Sequence, residues 1–279
     1  MRETALWVRP LRHLFLTALC SLIAFPFFWM ITSSLKTNDE IWSVPPVLWP
    51  EEPLWGTFLA AWQAAPFGQY LLNSIMVAAV IVLLQMVNSA MMAYALTHMH
   101  FPFRGALFAI IIVTYMLPAS ATYLPAYVIL SELNLIDTYA GLIISNAVSV
   151  FAIFLVRQAF LQLPKELAEA AKIDGAPHWR ILWTIMVPLT RSTFVVMGLI
   201  TFIGMYNNYF WPSLITKSPE LYLVSAGLRS FFVEGGAYGM NWPLIMAGST
   251  ITILPLLILF LFAQRLLMKG VSLSFGVNK

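Results

Sequence analysis

Residues 166–180, ELAEAAKIDGAPHWR, form a charged stretch between two long apolar runs. Its charged residues are Glu166, Glu169, Lys172, Asp174 and Arg180. Only 10% of the 279-residue chain is charged, whereas 60% is hydrophobic and the mean hydropathy is +0.82. Soluble domains have about 45–50% apolar and about 25% charged residues, so this composition predicts an integral membrane protein. The charged stretch is therefore predicted to be a loop outside the bilayer.

Six apolar runs are long enough to cross a membrane, because a helix needs about 20 apolar residues to span the hydrocarbon. They are residues 14–33, 71–96, 106–130, 142–160, 193–214 and 243–267. Pro118 and Pro125 interrupt the third run, which predicts a kinked span followed by a short surface helix. The first run is too long for a secretory signal and lacks a small-residue cleavage site, so we expect it to be retained. The predicted fold class is an all-α membrane protein with six transmembrane helices in a single permease domain, residues 1–279.

The distribution of Lys and Arg predicts the orientation, because positively charged loops stay in the cytoplasm. With the N-terminus inside, twelve of the 15 Lys and Arg residues fall in inside segments. The remaining three, Lys36, Lys217 and Arg229, fall outside. Both termini and the loop of residues 161–190 are therefore predicted to be cytoplasmic.

The charged stretch has the signals of a two-turn helix. Pro164 suits the first helical position, and Glu166 and Glu169 lie in the first turns, where the helix dipole favours negative charge. Gly175 stands where a C-terminal cap is expected. A mostly small apolar stripe recurs at helical spacing: Leu167, Ala170, Ala171 and Asp174. So short a helix is marginal alone in water, and its alanines favour docking on a protein over lying on lipid headgroups.

Residues 169–188, EAAKIDGAPHWRILWTIMVP, resemble the EAA loop of the permease subunits of ABC importers. The family pattern is EAA, three residues, Gly, nine residues, Ile, one residue and Leu-Pro. Glu169, Gly175, Ile185 and Pro188 fall at those spacings, and Val187 replaces the usual Leu.

Further segments are similar to one branch of that family, the carbohydrate-uptake permeases of the maltose type. The similar segments are residues 69–78, 93–105, 154–176 and 263–279. They resemble the shorter, six-span subunit of the permease pair, a binding-protein-dependent transport inner membrane component. The family usually has Trp-Asn near the end of the fifth span, where this chain has Tyr206-Asn207.

The resemblance implies a type I ABC importer permease fold and a function. The chain would be a transmembrane permease subunit of an ATP-driven importer in a bacterial or archaeal cytoplasmic (inner) membrane. With a second permease it would form the pathway for a sugar or related polar solute. The loop would be a coupling helix that fits a cleft on a cytoplasmic ATPase dimer. Its implied coupling residues are Glu166, Glu169, Ala170, Ala171, Asp174 and Gly175, with Glu169 making the charged contact and Gly175 the sharp turn.

The resemblance also implies roles for two further segments. An extracytoplasmic solute-binding protein would deliver the solute and contact the loop of residues 213–242, at Gly235, Gly236, Ala237 and Tyr238. The C-terminal tail, residues 270–279, would thread between the ATPase chains as an extended strand.

ATP chemistry is expected in another chain. The sequence has no G-x-x-x-x-G-K-[ST] phosphate loop, so ATP and Mg are assigned to the partner ATPase, and no cofactor is expected here. Cys20 is the one cysteine and cannot form an internal disulfide or a zinc site, and no catalytic or metal-binding pattern appears. The chain is predicted to be a transport subunit, not an enzyme, whose partners include the lipid bilayer but no nucleic acid.

Polar residues in the apolar runs are candidates for a solute pathway. They are Asn146, Asn207, Asn208 and Tyr209, because amides and aromatic faces suit a sugar. The alternative is that these amides join helix to helix. An ion-coupled secondary carrier and a non-transporting scaffold stay open as other functions. The central parts of the spans hold no Asp, Glu, Lys or Arg, which disfavours the carrier, and the loop pattern disfavours the scaffold.

Overall fold

The computed structural model describes residues 8–234 and 241–274. Within those ranges the chain forms helices joined by loops, as predicted, and no strand. The helices are α1 (Val8–Ser33), α2 (Asn38–Ile41), α3 (Gly56–Ala64), α4 (Phe67–His98), α5 (Arg104–Tyr115), α6 (Ala119–Glu132), α7 (Tyr139–Ile144), α8 (Val150–Leu161), α9 (Lys165–Ile173), α10 (His178–Ile181), α11 (Val187–Leu189), α12 (Arg191–Tyr206), α13 (Phe210–Ile215), α14 (Val224–Glu234) and α15 (Trp242–Ser274). A π-helical turn covers Leu182–Met186, and a 3-10 turn covers Pro219–Leu221.

The chain divides into two units. The first comprises residues 1–67 and 227–254, and the second comprises residues 68–226 and 255–279. In the first unit no residue of α1 from Pro10 to Ile31 is buried, so this apolar helix is left for lipid or another chain to cover. The loop after α1 is ordered by Lys36, which is fully buried and donates a hydrogen bond of 2.6 Å to the carbonyl of Val47.

Within the described residues, three helices are continuous and apolar enough to cross a membrane: α1, α4 and the part of α15 up to Gln264. Two bent pairs raise the number to five if each pair is one span. The first pair is α5 and α6, bent by 101°, and the second is His178–Leu189 and α12, bent by 80°. The predicted kink in the third run is therefore present. It lies at Pro118, whereas Pro125 sits inside α6 without breaking it.

The fourth predicted span is broken between α7 and α8, and α4 supplies the groups that stabilise the break. Gln85 donates a hydrogen bond of 2.7 Å to the carbonyl of Asn146, and Asn88 donates one of 3.0 Å to the carbonyl of Ala147. Gln85 also accepts a hydrogen bond of 3.1 Å from Thr201 on α12. A bilayer offers no water to main-chain carbonyls, so these amides replace the helical hydrogen bonds that the break removes.

Helices α4, α8, α9 and α12 of the second unit meet in one core. Small residues on α4, Ala90 and Ala93, are fully buried and let the neighbouring helices approach closely. Gly198 on α12 serves the same purpose, because a Cβ atom there would lie 2.5 Å from the Met86 side chain. This core carries the charged loop of residues 161–190.

Candidate functional site

The predicted helix in the charged loop is present as α9. Pro164 precedes the helix instead of occupying its first position, because its ψ of 130° is extended. At the other end Gly175 has a φ of +77°, a left-handed conformation that glycine adopts without steric cost. The amide of Gly175 donates to the carbonyl of Lys172 over 3.0 Å, and that of Ala176 donates to the carbonyl of Ala171 over 2.9 Å. These two bonds form a Schellman cap, which ends the helix and turns the chain.

The two faces of α9 differ from the predicted stripe. Ala168 is 2% exposed in the core and Ala171 is half-buried against it. These residues are three apart and share one face, because a helix turns about 100° per residue. The other members of the stripe, Leu167, Ala170 and Asp174, are exposed. Of the predicted stripe, Ala171 packs inward, whereas Leu167, Ala170 and Asp174 are exposed. Docking of the exposed members on another protein stays a prediction.

The exposed part of the charged loop carries four of the predicted coupling residues and two residues that the sequence did not single out. Glu166, Glu169, Ala170 and Asp174 are exposed. Ile173 is 86% exposed, which is unusual for a branched aliphatic side chain in a packed helix. Trp179 in α10 is also 63% exposed and was missed. The sequence did contain a signal for both residues. Ile173 lies in the last turn of the helix, away from the alanine positions, and Trp179 follows shortly after the cap.

The loop is fastened to the C-terminal end of α4. The hydroxyl of Tyr94 is hydrogen-bonded over 2.8 Å to Nδ1 of His178, the first residue of α10. Lys172 donates a hydrogen bond of 3.3 Å to the carbonyl of His98. The Tyr94 and His98 rings stack with centroids 5.2 Å apart. These contacts connect the charged loop to the end of a long apolar helix.

The second half of the EAA pattern forms a bent helical segment. Pro188 has no N–H to donate to the carbonyl of residue 184, and the turn before it is π-helical. Thr190 follows with φ −107° and ψ 21°, and its hydroxyl donates to the carbonyl of Met186 over 2.7 Å. The chain bends by 80° here and continues into α12.

The candidate pathway residues lie at two breaks between helices. Asn146 follows α7, and its side chain donates to the carbonyl of Leu142 over 3.0 Å and to Ser145 over 3.1 Å. Asn207, Asn208 and Tyr209 lie between α12 and α13. The Asn207 side chain donates over 3.0 Å to a carbonyl of its own helix. The side-chain amides of Asn146 and Asn207 thus donate to groups of their own segments, and these bonds do not join one helix to another. The role of these residues in a solute pathway stays a prediction.

An aromatic cluster lies beside Asn146. The indole N–H of Trp211 donates a hydrogen bond of 2.9 Å to the Ser145 hydroxyl, the same group that Asn146 contacts. Tyr123 stacks on Trp211 with centroids 5.4 Å apart and lies 5.1 Å from Phe210. Sequence reasoning did not select Tyr123, because it lies almost 90 residues away from Trp211 along the chain.

A hydrogen-bonded clasp joins two loops on the side opposite to α9 in the predicted topology. The Asp137 carboxylate accepts hydrogen bonds from the amides of Lys217 and Ser218, at 2.7 and 2.9 Å, and from the Ser218 hydroxyl. The Ser218 hydroxyl, the two amides and the charge of Lys217 together lower the pKa of Asp137, because they stabilise its ionised form.

Two predicted segments are only partly within the described residues. Gly235, Gly236, Ala237 and Tyr238 lie outside them. Helix α15 continues to Ser274, so the first part of the predicted tail is helical and not extended, and residues 275–279 lie outside the described range. Among the described residues, no group of three or more His, Cys, Asp or Glu side chains is placed to hold a metal ion.

The helical membrane fold and the capped loop with its exposed face define a transport permease. Residues 85–273 match the family described as "Binding-protein-dependent transport system inner membrane component". The chain belongs to this family.

Curated relatives agree over nearly the full length. The chain is 35% identical over 264 residues to the sn-glycerol-3-phosphate transport system permease protein UgpE of Yersinia pestis, with 92% of this chain and 94% of that protein covered. It is 32% identical over 276 residues to the protein of the same name from Escherichia coli O1:K1 / APEC, with 97% and 98% covered.

Solved structures share the fold. One chain of a bacterial ABC transporter involved in the import of the acidic polysaccharide alginate matches with a TM-score of 0.81 and 20% identity, covering 95% of this chain and 98% of that one. A chain of the bacterial alginate ABC transporter in complex with an alginate pentasaccharide-bound periplasmic protein matches with a TM-score of 0.63 and 16% identity, covering 93% and 96%. The fold is that of an ABC importer permease.

Family membership defines the role of the chain. It is a multi-pass permease subunit of an ATP-driven importer in the cytoplasmic membrane. It acts with a second permease, a separate ATPase and an external binding protein, and it is the transport subunit of that assembly. The ion-coupled carrier and the scaffold are thereby set aside.

Proposed function

We propose that the chain imports a small polyhydroxylated solute and that α9 couples this transport to ATP hydrolysis in the partner. The observation that carries the proposal is the division of α9 into a face fixed in the core and a face left exposed. Ala168 is buried, whereas Glu166, Glu169 and Ile173 project outward from a helix whose end is locked by Gly175. The ATPase, which binds ATP and Mg, docks on this outward face.

The polar character of the solute is supported by the relatives and by the chemistry of one cluster. The curated relatives are named for sn-glycerol-3-phosphate, a small polyol phosphate. In this chain Ser145 and Asn146 lie beside the rings of Tyr123 and Trp211, a combination of hydroxyl, amide and aromatic face that suits a polyol. Asn207, Asn208 and Tyr209 complete the proposed pathway.

The proposed topology has six spans, residues 14–33, 71–96, 106–130, 142–160, 193–214 and 243–267, with both ends in the cytoplasm. It is supported by the excess of Lys and Arg in the inside segments. The loop with Gly235, Gly236, Ala237 and Tyr238 then faces the external binding protein and contacts it during delivery. Residues 270–279 then lie on the ATPase side.

A charge reversal at Glu169 tests the coupling role. Glu169 is exposed, so Glu169→Lys leaves the core intact while it reverses a charge on the docking face. We expect the complex to insert normally but to retain less ATPase on purification and to transport at least tenfold more slowly. Uptake is measured in proteoliposomes with the binding protein, using labelled sn-glycerol-3-phosphate and a labelled oligosaccharide as probes.

Glu132→Lys is the matched control, because Glu132 at the end of α6 is an exposed acid in the loop predicted to lie outside between the third and fourth spans. The control should keep both the ATPase and the uptake rate. Normal uptake by Glu169→Lys would contradict the coupling role of α9. If the wild-type complex takes up neither probe, the proposed solute class is contradicted. The coupling role of α9 would then still be tested by the amount of ATPase that the Glu169→Lys complex retains.

A further inference from the structure

A cavity of about 200 Å³ with several charged side chains in its lining lies beside α9, between the end of α4, the start of α5 and the end of α8. Its ionisable lining residues in the described chain are His98, His100, Arg104, Lys165, Lys172 and Glu169. The volume is several times the roughly 30 Å³ that one water molecule occupies, so a small anion has room to enter.

The cations in this cavity are not neutralised by nearby carboxylates. Arg104 and Lys172 donate to carbonyls at the C-terminal end of α4, at 3.0 and 3.3 Å. The side chain of Lys165 makes no hydrogen bond to any residue that the structure describes. All three lie close enough to the His98 ring to act on it electrostatically. Glu169 is the one carboxylate among the described lining residues, so Arg104, Lys165 and Lys172 leave the cavity with a net positive charge.

We propose that this cavity binds a phosphate group, carried either by an anionic phospholipid headgroup or by inorganic phosphate. The planar guanidinium of Arg104 presents several N–H donors in a geometry that matches phosphate, and lysine adds point charges. Arg104 is also the first residue of α5, where free amide groups and the helix dipole favour an anion. Basic pockets between membrane helices on the cytoplasmic side are recurrent sites for such headgroups.

The position of the site gives its occupant a structural effect. The cavity is walled by membrane helices α4 and α8 on one side and by α9 on the other. A bound phosphate group attracts Lys172 and Lys165 of α9 together with Arg104 of α5. It therefore holds the coupling helix against the membrane helices, and this effect does not depend on which solute is imported.

The test measures binding to the assembled complex in detergent. Native mass spectrometry follows a titration with dioleoylphosphatidylglycerol or dioleoylphosphatidylcholine. Calorimetry follows a titration with sodium phosphate at constant ionic strength. Lys165→Gln is the first variant, because this side chain makes no bond whose loss would disturb the described structure. The double variant Arg104→Gln/Lys172→Gln removes the other two charges. Arg191→Gln is the control, an exposed cation on the same predicted side of the membrane.

We expect one anionic ligand to bind the wild type, with affinity reduced several-fold by Lys165→Gln and at least tenfold by the double variant. The control should bind as the wild type does. If these variants lose affinity for phosphatidylglycerol alone, the site is assigned to lipid. If they lose affinity for inorganic phosphate alone, the site is assigned to the free anion. The proposal is overturned if neither ligand binds the wild type, or if all variants bind as the wild type does. It is also overturned if Arg191→Gln loses as much affinity as the other variants.

Discussion

Replacing Gly175 with alanine tests whether the Schellman cap fixes the end of α9. Gly175 has a φ of +77°, and a Cβ atom built there meets nothing within 4 Å. The methyl group therefore causes no clash with the surroundings. The whole free-energy cost of the substitution comes from the left-handed backbone conformation, which is sterically unfavourable for an L-residue with a Cβ atom.

The magnitude follows from that backbone strain. A left-handed residue costs an L-amino acid about 1–2 kcal/mol relative to glycine. A free-energy change of this size raises the population of the opened cap by about 5- to 30-fold. Gly105 is the matched control, because a Cβ atom there also meets nothing within 4 Å but the residue lies in the first turn of α5 without a positive φ. Gly105→Ala should be neutral or stabilise by about 0.5–1 kcal/mol.

Hydrogen exchange provides the measurement. The amide of Ala176 donates to the carbonyl of Ala171 in the cap, so its exchange reports the opening of the cap. In Gly175→Ala it should exchange about 5- to 30-fold faster, by the same conversion, and the complex should retain less ATPase. In Gly105→Ala it should exchange at the wild-type rate. Unchanged exchange in Gly175→Ala would refute the inference that the left-handed glycine holds this cap.

Three further predictions concern the rest of the second unit. Gly141→Ala places a Cβ atom 2.1 Å from the carbonyl oxygen of Leu135, so the variant should insert poorly and lose thermal stability by about 2–3 kcal/mol or more. Gln85→Leu leaves the main-chain carbonyl of Asn146 at the α7–α8 break without its hydrogen bond. The variant should lower the free energy of unfolding in detergent by about 1–3 kcal/mol, while the ATPase should bind the permease with unchanged affinity. The pKa of the Asp137 carboxyl group is lowered by its hydrogen bonds in the clasp. The ionised carboxylate therefore stabilises the folded chain at pH values above the usual pKa of an aspartate, and this stabilisation is lost as the pH falls through the lowered pKa. Protection of the Ser218 amide should therefore persist below the normal pKa of an aspartate, and in Asp137→Asn it should be weaker and no longer depend on pH.

The sequence by itself determined the class of the molecule and the position of its charged loop. The class was predictable because a soluble chain of this size cannot bury so many long apolar runs. The position of the loop helix was predictable because the helix signals around residues 164–175 act locally. A glycine at a helix end, a proline before the helix and acids in the first turn depend only on neighbouring backbone groups. For that reason the bounds of α9 and the cap at Gly175 were predictable without knowledge of the tertiary structure.

Only the tertiary structure decided which side of α9 is buried and what the intramembrane amides do. Ala168 and Ala170 are the same residue type two positions apart, and the core formed with α4 and α8 buries the first and leaves the second exposed. Gln85 is a polar residue in the second apolar run, and the sequence does not show that it supports a main-chain break some 60 residues away. The physical reason is that burial and hydrogen-bond partners are set by helices distant in sequence, whereas helix ends are set by residues within one turn.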